Sequence, residues 1–281
     1  MAVQLTQRML DRALDRAVAA ATAPGGLRVT EGQLYYELCR VLVPAHRLPR
    51  RLPGTPPPPL SYRAFHAALD RHDPIPALLP PLPPRRAEIG RHTVEPDLFD
   101  YGLPRLLICA SPAVTHMLRA NGLPMESACP VLGPADLPLH PDVTAMLERV
   151  DGTVHLLHEA SAEGMRLPAR IRELAGLPET VRVVPIGLRP RQARALHLFR
   201  APAAAGAAAE PVSSAECAGP ALDPAERRWL DHGHTVELEA VRPAALLRTV
   251  HRLVRGVRTT HEPLLDLRRA RTAGFLTWPA A

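Results

Sequence analysis

Apolar residues recur at helical spacing along the start of the chain, at Leu5, Met9, Leu10, Leu14, Val18 and Ala21. Gln4 to Ala23 therefore predicts an amphipathic helix, which Gly25 and Gly26 end. Thr30 stands where an N-cap belongs, and Gln33, three residues on, completes a capping box ahead of EGQLYYELCRVLVP. A proline-rich loop spans Pro44 to Pro59. Ser61 to His72 then predicts a third helix, with Tyr62, Phe65 and Leu69 on one face. The stretch PIPALLPPLPPRR, Pro74 to Arg86, predicts a stiff linker.

From Leu103 the period changes. PRLLICAS, ESACPVLG, GTVHLLHEAS and TVRVVPIG are short apolar runs of strand type. The stretches PAVTHMLRANG, HPDVTAMLERV and AEGMRLPARIRELAG between them have helical periodicity, with Gly122 and Gly176 placed to end two of them. Alternation of strand and helix predicts an α/β layer with a mostly parallel sheet. The stretch from Ala201 to Gly219 is low in complexity and predicts a flexible loop. LDPAERRWLDHG and RPAALLRTVHRLVRGV return to helix. The expected organisation is a helical, winged-helix-like head over 1–80 and a linker over 81–102. An α/β domain over 103–200, a flexible loop over 201–220 and a C-terminal helical extension over 221–281 follow.

Composition changes this picture only a little. The chain has a net charge of +6 and no lysine, so all 34 basic residues are arginine. Together with the alanine and proline excess, that is the mark of a GC-rich genome. The charge permits a polyanionic partner without requiring one. Cys39, Cys109, Cys129 and Cys217 lie far apart with no C-x-x-C pair, and they read as small buried hydrophobes in a reducing compartment. No apolar leader and no run of 18 apolar residues occurs, so the expected location is cytoplasmic, with no membrane contact.

Three segments carry a resemblance. TEGQLYYELC (Thr30–Cys39) looks like the T-x-R-Q/E-x-Y-Y helix of the topoisomerase VI A subunit and the meiotic double-strand-break transesterases. LLICAS, VLGPADLP and VHLLHEASAEG fall where the bacterial Toprim-containing cousins of that family have their Glu strand, G-x-G-x-P turn and D-x-D-P-D-G loop. HTVELEAVRP (His234–Pro243) is similar to the family's late E-L-E-A-L segment. The chain thus resembles a degenerate member of that superfamily, a winged-helix-like head followed by a Toprim-like α/β domain with C-terminal helices.

The resemblance assigns roles. Tyr36 takes the place of the tyrosine that attacks a DNA phosphate, and it reads equally as a core aromatic, as Tyr35 beside it does. The family's activating arginine falls at Gly32, and its first-strand Glu at Cys109 or Ala110, neither a magnesium ligand. Glu159, Ser161 and Glu163 stand in the D-x-D-P-D-G positions. Glu159 and Glu163 are candidate Mg²⁺ ligands, or Glu163 simply favours a helix N-terminus. Glu237 and Glu239 alternate, so as a strand they would share a face, either at the metal site or on an exposed edge. Arg47, Arg50, Arg51, Arg85 and Arg86 flank the head and would contact DNA phosphates, or lie in solvated loops. His155 and His158 flank a strand end without a partner triad.

With most metal carboxylates missing, Mg²⁺ would be held weakly or not at all. The expected function is DNA binding without cleavage, as a subunit of a larger DNA-processing or defence complex. A homodimer and an ATPase partner subunit are implied by the family. Two alternatives stand beside it: a Mg²⁺-dependent nuclease or topoisomerase-like enzyme using Tyr36 with Glu159 and Glu163, and a protein-binding scaffold with no nucleic-acid contact.

Overall fold

Strand β1 (Arg105–Cys109) is apolar in all but its first residue, and such a run is stable only when covered on both faces. In the computed structural model, which describes residues 2–47, 53–81, 104–201 and 222–256, it lies inside a four-stranded, all-parallel sheet. The order is β2-β1-β3-β4, with β2 at Val131–Leu132, β3 at Thr153–Leu157 and β4 at Arg182–Gly187. β1 and β3 pair along their whole length, Arg105 opposite Thr153 through Cys109 opposite Leu157. Pro185, which cannot donate to a ladder, is accommodated because β4 is an edge strand.

The alternation of side chains divides the core. Leu106, Ile108, Val154 and Leu156 point to one face, where α6 (Pro141–Arg149) and α7 (Ala162–Ala175) contribute Leu147, Ile171 and Ala175. Leu107, Cys109 and Leu157 point to the other. There they join one continuous buried cluster with the head helices α1 (Ala2–Thr22), α2 (Glu31–Leu42) and α3 (Tyr62–Leu69), through residues such as Leu14, Tyr35 and Phe65. Helix α4 (Pro112–Ala120) follows β1, α8 (Pro190–Ala195) follows β4, and α9 (Pro224–Asp231) and α10 (Pro243–Val254) close the described chain. Cys39, Cys109 and Cys129 are buried free thiols, as expected; Cys217 lies outside the described residues. Among the described residues, no helix is long and apolar enough to cross a membrane.

Most expected elements form within a few residues of their predicted bounds, and the Thr30–Gln33 capping box is present in both directions. Three differ. ESACPVLG was expected as a strand, but Leu123–Ser127 is a short helix, α5, and only Val131–Leu132 pairs with β1. Pro124 in its first turn and the Ser127 hydroxyl donating to the Leu123 carbonyl favour that turn of helix, and Ala128 in the left-handed region ends it. The first part of the predicted linker is tied down: the Val29 amide donates to the Ala77 carbonyl and the Leu79 amide to the Val29 carbonyl, with Leu79 buried. Finally, the segment expected as a strand carrying Glu237 and Glu239 pairs only at Val236, with Ala160. Leu238–Ala240 then turns as a 3-10 helix, because the Ala240 and Val241 amides bond back to Glu237 and Leu238.

Candidate functional site

The site assembles where α2 meets the Leu238–Ala240 turn, next to the Val236–Ala160 bridge just past the carboxyl end of β3, the side of an open parallel sheet at which ligands generally bind. Tyr35 and Tyr36 are consecutive on α2 and both are buried. Tyr35 packs edge-on against Phe65 and Tyr62, and its hydroxyl donates to the Leu60 carbonyl, so it is a core aromatic. Tyr36 is 1% exposed, and its hydroxyl donates to Glu237 Oε2 at 3.0 Å. Burial, and then the negative charge of Glu237, drive its phenol well above the usual tyrosine range.

Three carboxylates from distant parts of the sequence meet this end of the sheet. Glu159 follows β3. Its pKa is pushed up to about 7, first by burial, then by Glu237 and Glu239, while the Leu238 amide pulls the other way. Glu239 accepts a hydrogen bond from the Thr30 hydroxyl and is likewise raised, chiefly by burial. Its carboxylate fills the space beside Gly32. A Cβ at position 32 would sit 2.5 Å from Glu239 Oε1, so the Glu239 side chain would have to shift for any larger residue there. The 3-10 turn still brings Glu237 and Glu239 to the same helix, although it is not a strand.

Other expected residues are not brought here. Glu163 is exposed on the first turn of α7 and pairs with Arg170 at 2.6 Å. Ser161 caps α7 by accepting from the Gly164 amide at 2.9 Å, so its hydroxyl is engaged in holding the turn. Cys109 closes β1 with its thiol toward the Ser111 carbonyl. His155 and His158 are buried in the sheet layer, and desolvation lowers both below the usual histidine range. Arg47 is exposed on a short 3-10 turn at Ala45–Arg47, whereas Arg50, Arg51, Arg85 and Arg86 lie outside the described residues.

The residues present do not fit a magnesium site. That ion asks for six oxygens in near-octahedral array. Among the described residues, no three His, Cys, Asp or Glu side chains stand so that they could hold one metal together. The sequence also hid a buried ion pair that locks the site. Arg40, one turn after Tyr36, pairs with Glu37 at 3.0 Å and donates to the Ala240 carbonyl at 2.6 Å, tying α2 to the turn that carries Glu239. An Arg and a Glu three residues apart on a helix usually form a surface pair, so nothing in the spacing marked these as buried.

The turn that presents Glu159 depends on Gly164. A Cβ there would press into the Glu159 carbonyl oxygen, a backbone atom that cannot swing away. Gly164→Ala is expected to cost about 1–3 kcal/mol, the usual range for overpacking, measured as a shift in the urea midpoint at unchanged slope. A loss below about 0.5 kcal/mol would mean the turn is looser than this close approach implies.

The fold and site define a mixed α/β protein with a parallel four-stranded sheet and an acidic, tyrosine-bearing cluster at its carboxyl edge. In comparison with known families, curated proteins and solved structures, the chain matches none.

Proposed function

We propose that this protein is a DNA-binding relative of the topoisomerase VI A subunit, with a winged-helix-like head and a Toprim-like sheet, that no longer cleaves DNA. The observation that carries the reading is Tyr36. Its hydroxyl, the one the resemblance assigns as nucleophile, is sealed against Glu237 with its proton held. Attack on a phosphodiester needs that oxygen deprotonated, exposed and next to a cation. Here its neighbours are carboxylates, which repel a phosphate. In place of the first-strand Glu stands the Cys109 thiol.

The rest of the reading follows from the family resemblance. The protein acts in the cytoplasm as a homodimer with an ATPase partner subunit, within a DNA-processing or defence complex, and it touches the duplex backbone through arginines. Binding should weaken as salt rises. If Arg47, Arg50, Arg51, Arg85 and Arg86 all met phosphates, log K against log[salt] would fall with a slope of about −4.5. Two measurements test this. Duplex titration across salt concentrations should show such a slope, and supercoiled plasmid with Mg²⁺ or Mn²⁺ should stay intact. Nicking lost in Tyr36→Phe or Glu159→Ala would overturn the loss of cleavage and favour an active enzyme. No affinity even at low salt would sink DNA binding altogether and leave a protein-binding scaffold.

A further inference from the structure

We infer that the cavity at the N-terminus of α2 binds a small organic cation, a guanidinium or primary ammonium group on a short aliphatic stem. The cavity, of about 220 Å³, adjoins the Tyr36 cluster through Glu239, which lines it. Its lining includes two carboxylates, Glu31 and Glu239, the Tyr62 ring, the His116 imidazole and the apolar run Leu79, Pro80 and Pro81.

Charge decides the sign of the ligand. A helix N-terminus presents roughly half a positive charge and by itself would favour an anion. Here that role is already taken. The Thr30 hydroxyl caps the Gln33 amide, and Glu239, held by Thr30, lies over Gly32 at the same helix end. Two carboxylates line the space beside the His116 imidazole, and burial followed by the charge of Glu237 raises the pKa of Glu239, a cost that a bound cation would relieve. Among the described residues, Glu31 has His66 at 2.8 Å as an ion-pair partner, whereas Glu239, Glu237 and Glu159 have no basic partner at all. Carboxylates outnumber basic groups in the lining, so a cation is favoured over an anion.

Shape decides the class. A bare divalent ion wants an oxygen cage, and half of this wall is hydrocarbon and proline ring. An aliphatic stem gains by lying on Leu79, Pro80 and Pro81, while its cationic head reaches Glu31 and Glu239. Tyr62 adds an aromatic side chain, whose ring face would attract an ammonium or guanidinium group and whose hydroxyl donates to Glu31 at 2.9 Å. The groups are set in place before the ligand arrives, so little ordering is needed on binding.

The experiment uses the full chain without nucleic acid, so it stands or falls apart from DNA binding. Agmatine and putrescine are titrated by calorimetry at constant ionic strength, beside N-acetyl-arginine amide, sodium chloride and Mg²⁺. Agmatine and putrescine are the free-cation arms, and the capped arginine represents a side chain of a partner polypeptide. Saturable 1:1 binding of at least one of the three, weakened about tenfold by Glu239→Gln and also by Glu31→Gln, is the expected result, each variant having lost one charge-assisted contact. Glu31→Gln alters a half-buried first-turn residue and keeps the answer readable if Glu239→Gln unfolds. No saturation, parent-like affinity in both variants, or displacement of the amine by millimolar Mg²⁺ would each overturn the inference.

Discussion

Arg40→Met is expected to destabilise the protein by about 3 kcal/mol, among the largest effects of any single substitution here. Arg40 and Glu37 are both buried on α2 and meet at 3.0 Å. Removing the cation leaves the carboxylate in a low-dielectric site, where an uncompensated charge costs about 3–5 kcal/mol. The lower end applies for two reasons. Arg242 approaches Glu37 at 3.8 Å from a half-exposed position, and Arg40 meets Glu37 at ion-pair distance without good hydrogen-bond alignment. The Ala240 carbonyl loses its donor as well. Chemical denaturation of Arg40→Met, Glu37→Met and the double variant forms the measurement. The double variant should recover most of the loss, because two apolar side chains of similar volume leave no buried charge. A cost below about 1 kcal/mol in the single variant would show that the pair behaves like a surface bridge. Its consequence for the site is direct: with the tie to Ala240 gone, the turn bearing Glu237 and Glu239 is held to α2 by the Tyr36 and Thr30 hydrogen bonds.

The second large effect is on pH. Glu159 is raised to about 7 by burial and by the neighbouring carboxylates, from an ordinary value of 4.5. A raised acid takes up a proton on folding, so its contribution favours the folded state fully below about pH 4.5 and is lost as pH rises through about 7. Above that range the folded protein holds a charge it would rather not carry. Glu159→Gln removes the charge at a similar shape. It should raise stability at pH 8 by about 1–3 kcal/mol and leave it nearly unchanged at pH 5. Melting temperatures of both proteins from pH 5 to pH 8.5 give the comparison. The buried histidines act in the opposite sense: His155 and His158, both lowered, give stability that is present above pH 6.5 and lost as pH falls. Their contribution is common to both proteins and cancels in the difference. A curve for Glu159→Gln parallel to that of the parent would mean Glu159 titrates as an ordinary surface carboxylate.

Much of the architecture was legible because it is locally encoded. The capping box at Thr30 and Gln33, the apolar runs of β1 and β3, and the glycine at position 176 ending α7 are short-range signals, each satisfied by neighbours a few residues away. The errors arose where a run of apolar residues had to be assigned without its partner. ESACPVLG holds apolar residues as a strand would, but β1 offers β2 only two residues to pair, and Pro124 with the Ser127 hydroxyl bonded back to the Leu123 carbonyl favours a turn of helix before them. Likewise, Leu78 looked like part of a spacer until Val29, far back in the chain, offered its backbone.

The candidate site divides the same way. Sequence by itself placed Tyr36 on a capped helix and found no acidic residue at the end of the first strand, and the resemblance offered Glu159, Glu163, Glu237 and Glu239 as candidate ligands. These are matters of residue identity and local order. Only the tertiary structure decided that Glu163 faces solvent while Glu159 does not, that Glu239 fills the space over Gly32, and that the Tyr36 hydroxyl spends its proton on Glu237. The physical reason is that charge and reactivity depend on dielectric and on neighbours within a few ångströms. Those neighbours come from α2, the end of β3 and the Leu238–Ala240 turn, segments more than a hundred residues apart that the sheet and its packed helices bring together.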